Sequence, residues 1–197
     1  VLAVVRNGKM AYLKAYGNKR VYPNTEPMTV NTIFDMASCS KSMSTAICTH
    51  ILAERGKLRL LDPVSLYIPE FKSWVSEDGK DKKIIRIADL LTHTSGLPPY
   101  APTSELEKQY GSPSPDGMIE YIANCRRDFK PQTDYQYSCL NYIVLQHIIE
   151  TISGQSLRDF AKANIFDPLG MSHTDYCPTG EILEHCAPTE KQKDGSV

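Results

Sequence analysis

The chain opens on an apolar run, Val1-Leu2-Ala3-Val4-Val5, breaks at Arg6-Asn7-Gly8-Lys9 and resumes as Met10-Ala11-Tyr12-Leu13. Asn-Gly between two apolar runs is a strong hairpin signal, because a type I′ turn needs positive φ at both central positions. The pattern predicts strand, tight turn and strand through about Tyr16, closed by Gly17. A lone hairpin is marginal in water, so these strands need further sheet partners. No strand pattern occurs after residue 20. From Ser38 to Arg55, Met43, Ala46, Ile47, Ile51 and Leu52 recur at three- and four-residue spacing ahead of Gly56, which predicts a helix.

Asp62-Pro63 opens a shorter segment, and Ile85 to Thr92 reads as a short helix that stops at Ser95-Gly96. Pro98, Pro99, Pro102, Pro113 and Pro115 crowd residues 97 to 117 and predict an irregular loop. Met118 to Cys125 reads as a helix. Tyr142, Leu145, Ile149 and Ile152 line one face of the next, which Gly154 ends, and Ser156 can cap a further helix to about Ile165. Asp167-Pro168-Leu169-Gly170 then turns the chain. The first residue is a valine with no charged segment ahead of it, which reads as a mature, trimmed or proteolysed start without a visible targeting segment. The polar stretch Pro188 to Val197 reads as a loop that stops in mid-course.

Composition narrows the function classes. The 22 Lys plus Arg balance 23 Asp plus Glu for a net charge of −1 across 197 residues, so there is no basic footprint for nucleic acid, where domain pI exceeds roughly 9. Hydrophobic residues make up 41%, enough for a core. The apolar runs are far shorter than the ~18 residues of a membrane span. Length suggests one domain. The six cysteines, at 39, 48, 125, 139, 177 and 186, form no Cys-x-x-Cys pair, and His50, His147, His173 and His185 show no metal-ligand spacing. Neither metal nor cofactor is expected.

The sharpest candidate chemistry is Ala37-Ser38-Cys39-Ser40-Lys41, a Ser-x-x-Lys at the start of the first predicted helix. Residues three apart share a helix face, so hydroxyl and amine can approach each other. A serine hydroxyl is a poor nucleophile until a neighbour accepts its proton, and a partly desolvated lysine can contribute to that. A helix N-terminus favours a developing oxyanion.

Four ordered segments extend this motif: 32–41 (Thr-Ile-Phe-Asp-Met-Ala-Ser-Cys-Ser-Lys), 87–97 (Ile-Ala-Asp-Leu-Leu-Thr-His-Thr-Ser-Gly-Leu), 135–142 (Tyr-Gln-Tyr-Ser-Cys-Leu-Asn-Tyr) and 165–171 (Ile-Phe-Asp-Pro-Leu-Gly-Met). Together, from about Val1 to Glu190, they closely resemble the serine β-lactamase-related family of class C β-lactamases, D,D-peptidases and related esterases. The resemblance implies an α+β fold, β-lactamase/transpeptidase-like, in which an antiparallel sheet flanked by helices lies beside a mostly helical region. Residues 1–197 would then be a single incomplete domain, with 1–30 supplying the hairpin and 31–197 the helical region, and the C-terminal strands missing. It also implies that Ser38 becomes acylated, that Lys41 assists proton transfer, and that Tyr137 is the general base. A phenol near an ammonium can take the serine proton. The Ser38 backbone N–H would belong to the oxyanion hole.

Two departures qualify the resemblance. Cys139 stands in the substrate-binding position where β-lactam-active members carry asparagine, and a thiol donates and accepts hydrogen bonds only weakly. Ester hydrolysis survives that change better than amide recognition. The late Lys-Thr-Gly or His-x-Gly motif is also absent. Lys193-Asp194-Gly195 is rejected because an aspartate would repel an oxyanion, and His93-Thr94-Ser95-Gly96 precedes the tyrosine and fits a structural loop, which makes His93 a hydrogen-bonded scaffold residue. Cys39 and Cys139 flank the nucleophile and the tyrosine, either as two small buried thiols or as a disulfide or oxidation-sensitive pair.

The expectation is therefore a serine hydrolase forming an acyl-enzyme on a small-molecule or peptidoglycan-like ester or amide, periplasmic or secreted by resemblance. It needs a missing C-terminal segment, and the present piece alone is expected to be inactive. The alternative is a catalytically inactive member or fragment serving as a binding or structural module.

Overall fold

The computed structural model describes residues 1–190, so Lys193-Asp194-Gly195 lies outside the described residues. Among the described residues the chain divides into two compact units, Val1–Ser38 with the segment from Gly170 to Glu190, and Cys39–Leu169.

In the first unit, β1 (Leu2–Arg6) and β2 (Lys9–Lys14) form the expected hairpin, with Asn7 at φ 51° and Gly8 at φ 71° in its turn. Pairing runs Leu2 to Lys14, Ala3 to Leu13 and Val4 to Tyr12, then slips at a bulge between Val4 and Val5. Both faces of this ribbon are apolar and every residue in it is exposed, Leu2 at 52% and Val5 at 60%. Beyond it, β3 (Asn18–Arg20) pairs with β4 (Glu26–Pro27). These strands are too short to leave an alternation in the sequence, as are β5 (Trp74–Val75) and β6 (Lys82–Lys83) of the second unit.

The second unit holds the core. A π-helical turn, Lys41–Thr45, in which Ala46 N–H donates to Lys41 O five residues back, runs into α1 (Ala46–Glu54). The extra residue of a π turn rotates the rest of the helix by about 100° relative to a continuous α-helix. The buried face consequently carries Ser44, Thr45, Cys48, Thr49 and Leu52, while Met43 and Ile47 are each 41% exposed. The face expected from sequence is thus displaced. A 3₁₀ turn, Val64–Leu66, comes directly after Pro63. α2 (Ile87–Leu91) is held at its start by Asp89, whose Oδ2 accepts from Arg86 N–H at 2.8 Å.

The proline-rich stretch is not one irregular loop. It contains α3 (Thr103–Tyr110) and the start of α4 (Pro115–Asn124). Pro102 sits just before α3 and Pro115 opens α4, positions where a missing N–H costs nothing. Only Leu106 of α3 is buried, so α3 shows no apolar stripe. α5 (Cys139–Ser153) buries Leu140, Asn141, Val144, Leu145, Ile148 and Ile149 through the centre of the unit, and Gly154 closes it. α6 (Leu157–Ala161) continues into a second π turn, Lys162–Phe166. Ser156 caps α6 as expected, accepting from Asp159 N–H at 3.0 Å. Ser156→Ala is expected to cost about 1 kcal/mol, or ~2–4 °C in Tm for a chain of this size. A thermal melt with no shift would show that the cap carries no stability. Back in the first unit, α7 (Glu181–Glu184) leads to Cys186, which bridges Ile33: Ile33 N–H donates to His185 O at 3.1 Å and Ala187 N–H to Ile33 O at 2.8 Å.

Candidate active site

Ser38 closes the first unit, at a turn leading into helical backbone at residue 39. The turn is conformationally demanding. Ala37 has φ 42°, in the left-handed region that non-glycine residues rarely adopt, and Asp35 Oδ1 accepts its N–H at 2.7 Å.

The second unit brings Lys41, Tyr137 and Cys139 together. Lys41 stands in the first residue of the π turn, Tyr137 in the loop before α5, and Cys139 at the first residue of α5. The Lys41 Nζ lies 5.4 Å from the Tyr137 ring centroid and 5.9 Å from that of Tyr142. Burial disfavours its charge, but hydrogen bonding to Tyr137 and attraction from the Cys139 sulfur more than offset this, so its pKa lies above the usual lysine value. Lys41 is an ammonium at neutral pH. Tyr142 donates its hydroxyl to Leu91 O at 3.2 Å, and burial raises its pKa, which keeps it a neutral phenol. Tyr137, 38% exposed, is the more accessible of the two.

Beneath these groups lies a polar network that sequence patterns did not reveal as such. Ser95 and Asn141 are fully buried and His93 is 9% exposed. Leu97 N–H donates to Ser95 Oγ at 3.1 Å, and Ser95 Oγ donates to Asn141 Oδ1 at 2.6 Å. Asn141 Nδ2 lies 3.0 Å from His93 Nδ1, which also receives Ser138 N–H at 3.2 Å. Ser138 Oγ donates to Pro98 O at 2.6 Å while accepting Leu140 N–H at 3.2 Å as the cap of α5. The expectation of His93 as a hydrogen-bonded residue matches this geometry. Sequence reasoning missed Asn141 and Ser138. The available signal was a polar residue, Asn141, in helical phase with Val144, Leu145 and Ile148.

Both cysteines are free, and Cys39 is exposed rather than buried, while Cys139 is half-buried. Among the described residues no cluster of His, Cys, Asp and Glu could hold a metal ion, and no helix is long and apolar enough to cross a membrane.

Comparison with known proteins places this architecture among β-lactamase/transpeptidase-like folds. A structure described as a class C beta-lactamase superposes with TM-score 0.79 at 26% identity, over 99% of this chain and 50% of that one. EstCE1, described as a hydrolase with promiscuous acyltransferase activity, gives 0.76 at 26% identity, over 93% of this chain and 49% of that one. The N-acetylmuramyl-L-alanine amidase of Bacillus subtilis (strain 168) is 34% identical over 186 residues, 90% of this chain and 42% of that protein. The Beta-lactamase family model matches residues 1–197, and the chain belongs to that family. It spans less than half the length of the curated relatives it matches.

Proposed function

We propose that the protein carrying this chain is a serine hydrolase that forms an acyl-enzyme on Ser38 and prefers esters to amides. The observation that supports this most is the contact of the Lys41 ammonium with Tyr137, three residues along the chain from the serine. In this reading Tyr137 starts as the phenolate that an adjacent ammonium favours, and Ser38 Oγ attacks the substrate carbonyl as its proton passes to that phenolate oxygen. The Lys41 charge stabilises that transfer, and the proton is then delivered to the leaving alkoxide or amine. Water repeats the sequence to release the acyl group. Cys139 supports the ester preference, because its thiol is a poor partner for a substrate amide.

A cell-envelope substrate of peptidoglycan type, and a periplasmic or secreted location, are part of the same proposal. Their support is family membership and the amidase name of the Bacillus relative. Residues 1–197 are proposed to act as one incomplete domain. The hairpin β1–β2 is exposed on two apolar faces, and strands elsewhere in the protein would cover it. The isolated piece should therefore show no turnover.

The test uses the full-length protein with a fluorophosphonate, a short-chain p-nitrophenyl ester and nitrocefin. Expected are a covalent adduct mapped by mass spectrometry to Ser38, ester turnover, and slower or no nitrocefin turnover. Absence of an adduct at Ser38 would overturn the enzyme reading in favour of a binding or structural module.

A further inference from the structure

We infer that His93 is a positioning residue for Tyr137, acting as a neutral, Nε2-protonated ring that clamps the chain on both sides of the tyrosine. The inference rests on the reading of Tyr137 as the proton carrier, and its geometry lies wholly within the second unit. The residues flanking Tyr137 both donate backbone N–H groups to His93: Gln136 to its carbonyl oxygen at 3.1 Å and Ser138 to its ring Nδ1 at 3.2 Å. Between these two bonds the rings of His93 and Tyr137 lie 4.6 Å apart, centroid to centroid, tilted by 40°. Tyr142 packs on the same imidazole at 5.3 Å and Tyr135 meets it edge-on at 6.1 Å. One residue thus fixes both the backbone and the ring plane of Tyr137.

The donors decide the tautomer. A backbone N–H can only donate, so the Ser138 bond requires an unprotonated Nδ1 and puts the proton on Nε2. The Asn141 amide is oriented to match. Ser95, which already accepts Leu97 N–H, donates to Asn141 Oδ1, and this turns Nδ2 toward the ring as the second donor. The relay of one-way bonds therefore runs from Leu97 through Ser95 and Asn141 to His93. The left-handed backbone of His93, φ 58°, marks a conformation held by its surroundings.

Protonating Nδ1 would turn Ser138 N–H and Asn141 Nδ2 away and open the clamp on its Ser138 side, while the Gln136 bond to the His93 carbonyl does not depend on the ring's charge. Burial and the Lys41 charge oppose that step. Lys41 on the π turn is a cation, the rings of Tyr135 and Tyr137 on the loop and of Tyr142 on α5 pack against the imidazole, and Cys139 on α5 sits at Lys41. Asp89, on the preceding helix α2, is bound by Arg86 N–H and Gln132. Burial, and then the Lys41 charge, push the His93 pKa below the usual 6.5. Activity should accordingly fall on the acid side as pH drops through that lowered value, because the Ser138 bond to Nδ1 exists only in the neutral form.

The test compares full-length wild-type protein with His93→Asn, tracking kcat/KM for a p-nitrophenyl ester from about pH 4.5 to 8. Asparagine tolerates positive φ and offers Oδ1 in place of Nδ1, but it lacks both the ring and the titration. The expected result is a folded variant that loses the His93 acid limb and has kcat/KM reduced about 10- to 100-fold at pH 8, as for a misplaced reacting group. An acid limb left unmoved in the variant, or none in the wild type, would overturn the inference. Independently of folding, imidazole ¹⁵N NMR of the wild type at pH 7 should show a bare Nδ1 and a protonated Nε2; a proton on Nδ1 also overturns it. Ser38→Ala separates the two levels: full turnover in that variant sinks the catalytic reading, while the NMR result on His93 stands by itself.

Discussion

Replacing Lys41 by alanine is expected to lower kcat/KM for ester hydrolysis by about 10³-fold or more in the full-length protein. The magnitude comes from removing a charge that acts on the proton carrier, since general acid–base assistance is worth roughly 10²–10⁴-fold. The specificity of the effect comes from position. Lys41 is the cation against the Tyr137 ring, and its hydrogen bonding to Tyr137 and attraction to Cys139 outweigh the cost of its burial. Lys41→Arg should not restore activity, because a planar, delocalised guanidinium does not substitute for a compact ammonium that carries its charge on one nitrogen. The sign of the linkage is also fixed. A folded pKa raised above the unfolded value contributes stability that is fully present below the unfolded pKa and is lost as pH rises through the folded one. The Lys41 contribution is therefore intact through neutral pH and disappears only on the alkaline side of the ordinary lysine value of 10.5. Steady-state kinetics on purified variants measure the first effect. A loss of less than about tenfold would remove Lys41 from the mechanism.

Much of this arrangement was legible in the sequence where local rules act alone. Asn7-Gly8 sets the hairpin turn, Ser156 caps α6, Gly154 ends α5, and each depends only on neighbours along the chain. The family motifs likewise marked Lys41 and Tyr137, which the second unit brings into contact. What stayed hidden depends on tertiary context. Thr103–Tyr110 forms α3 with Leu106 as its single buried residue, so no periodicity betrays it, and the prolines that suggested a loop stand at helix starts. The π turn at Lys41–Thr45 shifts the phase of α1 by one residue, which no pattern of apolar positions revealed. The hydrogen bonds of His93 join residues more than forty positions apart, to Ser138 and Asn141, and their chemistry becomes visible only when α2 and α5 are packed together. Cys139 departs from the family pattern, and its place beside Lys41 gives that departure a physical setting.

Gly96→Ala is expected to destabilise the protein by about 3 kcal/mol or more, combining left-handed backbone strain with a steric clash. Gly96 has φ +78°, and a Cβ built on it would stand 2.3 Å from Phe129 O and 3.5 Å from Arg127 Cβ. Neither neighbour is free to retreat. Asp128 N–H donates to Gly96 O at 2.7 Å, which binds the two backbones at this point, and the Arg127 guanidinium is anchored by the carbonyls of Lys72, Ile122 and Ala123. A loss of that size corresponds to a fall in Tm of about 6–12 °C for a chain of this length. The functional consequence exceeds the thermal one. Gly96 comes immediately after Ser95, the donor that orients Asn141 toward His93, and His93 in turn holds the residues on either side of Tyr137. A backbone shift at residue 96 should therefore reach the tyrosine through three hydrogen-bonded side chains, and ester turnover should fall even at temperatures where the variant is folded. Differential scanning fluorimetry and activity well below the melt measure the two effects separately. A Tm within about 2 °C of wild type would show that the Gly96 and Phe129 backbones can part without cost. Full activity in a destabilised variant would show that the loop moves without carrying the network with it.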